Sequence, residues 1–149
     1  MLRLHGIVGH ESDPALHARL HALEHRDGIE LLFVPSDETG RKRFRLATDR
    51  GTDCAVSLDR DAALADGAIL FLDEKRAIIA RFGEQSMLRL KPANVAAALK
   101  LGWAAGNLHW RVRFDGERLI VLVDGAKSDY RARIADLLDE GAVEEGADV

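Results

Sequence analysis

The chain is poor in several things at once. It has one cysteine, three prolines, 5% aromatic residues and, beyond residue 25, a single histidine. One cysteine, Cys54, excludes an intramolecular disulfide, and a free thiol fits a reducing compartment. So few aromatics leave the core to aliphatic side chains. No run approaches the roughly 18 apolar residues of a membrane helix. The start, Met1-Leu2-Arg3-Leu4-His5-Gly6, lacks the apolar stretch of a signal peptide. A net charge of −4 and a pI near 5.9 argue against a nucleic-acid footprint over the whole chain. The expectation is a soluble cytoplasmic protein, with no membrane and no nucleic acid among its partners. Enzyme signatures are missing as well: Gly-x-Ser-x-Gly, a phosphate-cradling glycine loop, Cys-x-x-Cys and His-Glu-x-x-His. A catalytic zinc usually needs three protein ligands, and the C-terminal half offers one histidine and no cysteine. The chain reads as a non-enzyme.

What is present falls into three segments. In residues 1–28, Ser12-Asp13-Pro14 signals a helix start, and Leu16, Leu20 and Leu23 recur at helical spacing up to Gly28. This is expected to be an N-terminal extension with a short amphipathic helix. Residues 29–84 carry short strand-like runs separated by turn residues: Ile29–Val34, Arg41–Thr48, Asp53–Leu58, Ala68–Leu72 and Ala77–Phe82. That spacing predicts an all-β domain. Residues 85–149 change regime. A strand from Ser86 to Leu90 precedes a helix opened by Pro92 and Asn94, expected to end near Gly102. His109–Phe114 alternates as a half-buried strand, Asp115-Gly116 marks a hairpin, and Arg118–Val123 returns. A second helix follows over Tyr130–Asp139, capped by Ser128 or Asp129, and Ala142–Glu144 closes as an edge strand. The order β-α-β-β-α-β is that of the ferredoxin-like fold. The fold class is therefore α+β, an all-β domain followed by a ferredoxin-like one.

Between the first helix and strand of that last segment lies Ala105-Gly106-Asn107-Leu108-His109-Trp110. Gly106 and Asn107 both tolerate positive φ and suit a tight helix exit. His109 then starts a strand. Taken alone it reads most simply as a partly buried histidine bonded to backbone, because one imidazole has no neighbouring ligands. A two-fold dimer alters this, since a residue near the dyad meets its own copy. Two facing imidazoles make a two-nitrogen site for nickel, copper or zinc with open positions.

The chain resembles the urease accessory protein UreE family from about Glu30 to Gly141. The likeness rests on the basic strand Arg41-Lys42-Arg43-Phe44-Arg45 and the turn Asp49-Arg50-Gly51. It continues through Leu58-Asp59-Arg60, Leu64–Leu70 and Glu84, and ends with Leu101-Gly102-Trp103-Ala104-Ala105-Gly106-Asn107-Leu108-His109. The family's helix typically runs into Gly-Asn-Arg-His, so Gly106, Asn107 and His109 match and Leu108 departs. The resemblance implies a β-rich domain that binds partners or peptides (29–84) and a ferredoxin-like metal-binding and dimerisation domain (85–149). It implies a nickel metallochaperone for urease assembly, acting as a homodimer with Ni²⁺ held by His109 at the interface; Zn²⁺ or Cu²⁺ would compete. Implied partners are urease apoprotein and other urease accessory proteins, including the urease-specific GTPase UreG. The alternative is a metal-independent adaptor of the same assembly. Two features depart from the family. The C-terminus is Glu144-Glu145-Gly146-Ala147-Asp148-Val149 rather than histidine-rich, and Gly125–Tyr130 contains no histidine.

Two other clusters stay open. His17, His21 and His25 lie at i, i+4 and i+8, a single stripe about 140° from the leucine face at 100° per residue. It is either a polar helix face or an auxiliary nickel-loading site. Arg41, Lys42, Arg43 and Arg45 are either a solvated strand face, the normal defence of an edge, or a dock for an acidic partner. Cys54 is expected to be a small core residue.

Overall fold

A computed structural model describes residues 1–35 and 37–146. It has two compact units, Met1–Glu84 and Gln85–Val149.

The first unit holds two sheets. Strands β1 (Leu2–Leu4), β4 (Arg43–Ala47) and β5 (Asp53–Ser57) form one, in the order β1-β5-β4. Strands β2 (Gly9–His10), β3 (Ile29–Val34), β6 (Ala68–Leu72) and β7 (Ala77–Phe82) form the other, in the order β2-β6-β7-β3. Between β2 and β3 a 3-10 turn, Pro14–Leu16, leads into helix α1 (His17–His25). The start signal works as its residues suggest: Asp13 accepts a hydrogen bond from the Ala15 amide (3.0 Å), and Pro14 takes the first helical position.

The long apolar runs of β3, β6 and β7 follow from burial on both faces. Leu32, Val34, Ala68, Leu70, Ile78 and Ala80 pack with Phe44, Cys54 and Val56 of the other sheet. Leu31, Ile69, Ala77 and Ile79 pack with Leu20 and Leu23 of α1. The four-stranded sheet is thus a middle layer between a second sheet and a helix.

Residues 1–28 are woven into this unit rather than appended to it. Leu2, Arg3 and Leu4 pair in parallel with Cys54, Ala55 and Val56. Gly9 and His10 pair with Ile69 and Ala68. Strands of two or three residues carry too little alternation to be seen in sequence, and their pairing is decided by partners about 50 residues away. The Arg41–Thr48 strand shortens to Arg43–Ala47 because Arg41 closes the preceding turn, bonding Glu38 through both backbone (3.0 Å) and guanidinium (3.0 Å).

The second unit contains β8 (Ser86–Pro92), α2 (Val95–Asn107), β9 (Arg111–Asp115), β10 (Arg118–Val123), α3 (Lys127–Arg133), α4 (Ala135–Asp139) and β11 (Val143–Glu145). The sheet order is β11-β8-β10-β9 with every pair antiparallel. Leu119, Val121 and Val123 of β10 face a core with Leu88, Leu90, Leu101, Ala105, Ile134 and Val143. Asn94 caps α2 by accepting from the Ala97 amide at 2.8 Å.

The helices of this unit differ from the sequence expectation at three points. Helix α2 passes through Gly102 and ends at Asn107, because burying Leu101 and Ala105 on its inner face outweighs a glycine cost of about 1 kcal/mol. Ala126 takes the cap of the last helical segment, without a side-chain bond, in place of Ser128 or Asp129. That segment also breaks at Ile134 (φ −122°), which is 3% exposed and joins the core.

Candidate metal centre

His109 is the backbone peculiarity of the second unit. Leu108 ends α2, and His109 follows with φ 55°, in the left-handed region. The Trp110 amide donates to the Ala105 carbonyl (2.9 Å), and the His109 amide donates to the Gly106 carbonyl (3.1 Å). This is the six-to-one and five-to-two bond pair of a left-handed helix cap, a position glycine usually occupies. Sequence reasoning placed the positive φ at Gly106 or Asn107; both are helical, and the histidine itself bears it. His109 also stands before β9 rather than within it, and it is exposed.

The exit is anchored on its far side. Trp110 packs on Tyr130, with ring centroids 5.1 Å apart. The Tyr130 hydroxyl accepts from the Asp124 amide at 3.0 Å. The Trp110–Tyr130 contact thus lies next in sequence to the exposed His109.

Helix α2 also carries an apolar stripe pointing away from the core. Val95, Leu99 and Trp103, at i, i+4 and i+8, are 77%, 71% and 72% exposed. The stripe runs toward the helix end from which His109 leaves. The Val95–Asn107 sequence reads as an ordinary apolar helix; only the position of Ala97, Leu101 and Ala105 on the buried side shows that these three face outward.

Among the described residues no three His, Cys, Asp or Glu side chains are grouped closely enough to hold a metal ion. The remaining histidines sort by environment. His10 is structural: its Nε2–H donates to the Asp66 carbonyl (2.7 Å), and its Nδ1 accepts from Ser12. His17, His21 and His25 are all exposed on α1, opposite buried Leu20 and Leu23. Cys54 is fully buried, and burial, the largest influence, raises its thiol pKa, which disfavours the ligating thiolate.

The basic strand is partly committed. Arg45 forms a two-point pair with Asp53 (2.8 and 2.5 Å), Arg41 pairs with Glu38, and the Lys42 ammonium donates to the Ala62 carbonyl. Arg43 and Arg45 flank buried Phe44 on an open groove of about 550 Å³ that Arg3 and His5 also line. A buried polar network holds the 48–52 turn. Glu30, 6% exposed, accepts from Thr48 (2.7 Å), Thr52 (2.5 Å) and Arg76 (3.3 Å). Asp49 ties the turn to β3, accepting from the Leu31 amide (2.8 Å) and donating its own amide to the Leu31 carbonyl (2.9 Å).

These features define a two-unit α+β protein that presents one imidazole per chain at a strained helix exit, beside an uncovered apolar helix face. Residues 14–82 match the family model described as UreE urease accessory protein, N-terminal domain. Urease accessory protein UreE 1 of Pseudomonas syringae pv. syringae (strain B728a) is 47% identical over 144 residues, covering 97% of this chain and 99% of that protein. Urease accessory protein UreE of Natronomonas pharaonis is 33% identical over 152 residues, covering 98% of this chain and 69% of its own. The chain belongs to the UreE family of urease accessory proteins. Its family is one of accessory proteins to urease, not of the enzyme itself.

Proposed function

We propose that this protein is a nickel-binding metallochaperone of urease assembly, in which two chains hold Ni²⁺, as cargo, between their His109 side chains. The observation that carries the reading is the left-handed conformation of an exposed histidine. A β-carbon in that region costs roughly 1–2 kcal/mol, and such strain collects at functional positions. Glycine there would relieve the strain.

The uncovered face of α2 supports the dimer. Val95, Leu99 and Trp103 on one chain meeting the same residues on another would form a self-complementary apolar seam, as a two-fold interface requires. A dyad near that seam brings two copies of His109 together. Water or transient ligands complete the coordination, which favours release over storage. The strand order β11-β8-β10-β9 supports a ferredoxin-like reading of the second unit. The first unit, with the groove beside Arg43 and Arg45, is the surface we assign to other urease assembly proteins and to the urease apoprotein.

Equilibrium dialysis of wild-type and His109→Ala protein against Ni²⁺ tests the assignment. Loss of the tightest nickel per dimer in the variant is expected. Full retention, with an unaltered dimer, removes His109 from the site and leaves a metal-independent adaptor as the better reading.

A further inference from the structure

The histidine stripe of α1 contains a feature that its spacing alone did not show. His21 Nε2 and His25 Nε2 are 3.2 Å apart, and their rings meet edge to face with centroids 4.6 Å apart. The two nitrogens lie within hydrogen-bond distance of each other on adjacent helical turns. An ion bonded to both at the usual 2.0–2.1 Å would subtend an N–metal–N angle of about 100°. That lies between the right angle of square or octahedral coordination and the tetrahedral angle. No rearrangement of the helix is needed to reach it.

We propose that His21 and His25 form a second metal site, a two-imidazole chelate on the solvent face of α1 for a divalent late transition ion. Nickel, copper and zinc suit imidazole donors, and Cu²⁺ binds a given nitrogen pair more tightly than Ni²⁺ or Zn²⁺. His17 stays outside the site. Its ring stacks parallel to His21 with centroids 6.4 Å apart, and no three candidate ligands are grouped among the described residues. Water completes the coordination sphere, so the site exchanges its ion readily.

The proton balance is simple. One Nε2 now donates a hydrogen to the other. When the ion takes both lone pairs, that hydrogen moves to Nδ1 of the same ring, so two neutral rings bind without net proton release. Acid competes for the same lone pairs and weakens binding. The packing below favours the helix whether or not metal is bound, since Leu20 and Leu23 anchor it to Leu31, Ile69 and Ile79. The chelate is therefore largely preorganised, and the two rings lose little freedom on binding.

The site is independent of His109, and full-length variants separate the two. Dialysis is run against Ni²⁺ and, separately, Cu²⁺. The His109→Ala chain is expected to retain one ion per chain. Adding His21→Ala or His25→Ala should weaken that ion at least tenfold, whereas adding His17→Ala should not. Circular dichroism checks that α1 survives each exposed substitution. Metal should also slow amide exchange across residues 21–25 of the wild-type chain. Complete loss of metal in His109→Ala alone overturns the helix site. So does undiminished binding in His109→Ala/His21→Ala, or unchanged exchange in α1 at saturating metal. The difference between wild type and His109→Ala reads the other site, whichever way the helix behaves.

Discussion

Replacing His109 by glycine should make the metal-free protein more stable while removing the part of its nickel response that comes from the His109 site. The left-handed backbone at φ 55° costs a β-carbon about 1–2 kcal/mol, which glycine avoids. Glycine also gains freedom in the unfolded chain, offsetting about 0.4–1 kcal/mol. The net gain is about 0.5–1 kcal/mol, because the exposed ring contributes little burial. For a chain near 150 residues this raises the melting temperature by about 1–4 °C. Alanine keeps the strained β-carbon and should bring no such gain. Nickel at a hundred times its dissociation constant adds about 2.7 kcal/mol to a protein that binds it only when folded. The order should therefore invert. His109→Gly melts above wild type without metal and below it with saturating nickel. Differential scanning calorimetry at fixed protein concentration, with and without Ni²⁺, measures both. A glycine variant that melts below wild type without metal refutes the strain reasoning. One that gains as much from nickel as wild type refutes the metal assignment instead.

Two further outcomes follow from the packing. Leu99→Asp or Trp103→Asp should leave each chain folded, since both side chains are exposed, but yield monomers in sedimentation and lower nickel per chain at the His109 site; an unchanged dimer would place the interface elsewhere. Thr48→Ala should cost about 1–3 kcal/mol in urea unfolding by stripping a donor from buried Glu30. Burial raises the Glu30 pKa, but Thr52, Thr48 and Arg76 together lower it further, so the folded value lies below the unfolded one. Its contribution to stability is complete above the ordinary carboxylate value of about 4.3 and fades as pH falls through the depressed folded value. Glu30→Gln should flatten that acid limb, and a slope identical to wild type between pH 5 and pH 3 would contradict it.

Repeating patterns were the legible part of the sequence. The strands of residues 29–84 show themselves because each apolar run is bounded by turn residues. The β-α-β-β-α-β order shows itself because Asp115-Gly116 and the alanine-rich helix punctuate it. Long-range pairing was not legible: Leu2–Leu4 becomes a strand only because Cys54–Val56 offers an edge. Nor was the conformation of His109. Local preference favours positive φ at Gly106 or Asn107, but burying Ala105 and hydrogen-bonding the last turn extend α2 past both. The outward stripe of Val95, Leu99 and Trp103 has the composition of a core face. Sequence cannot say which of two apolar faces of a helix meets the sheet. The approach of His21 and His25 was half visible, since i, i+4 spacing brings two side chains together but does not set the distance between their nitrogens.

The parallel pairing of β1 with β5 also sets a timetable for synthesis. Leu2–Leu4 leaves the ribosome some 50 residues ahead of its partner Cys54–Val56, roughly 3–10 s at 5–20 residues per second. Through that interval the first strand has nothing to pair with. The middle sheet cannot be assembled until Ala77–Phe82 emerges, because β7 joins β6 to β3. Strand β1 is thus made well before it can be secured. A bulky group placed next to Leu2–Leu4 would burden this slow step of assembly.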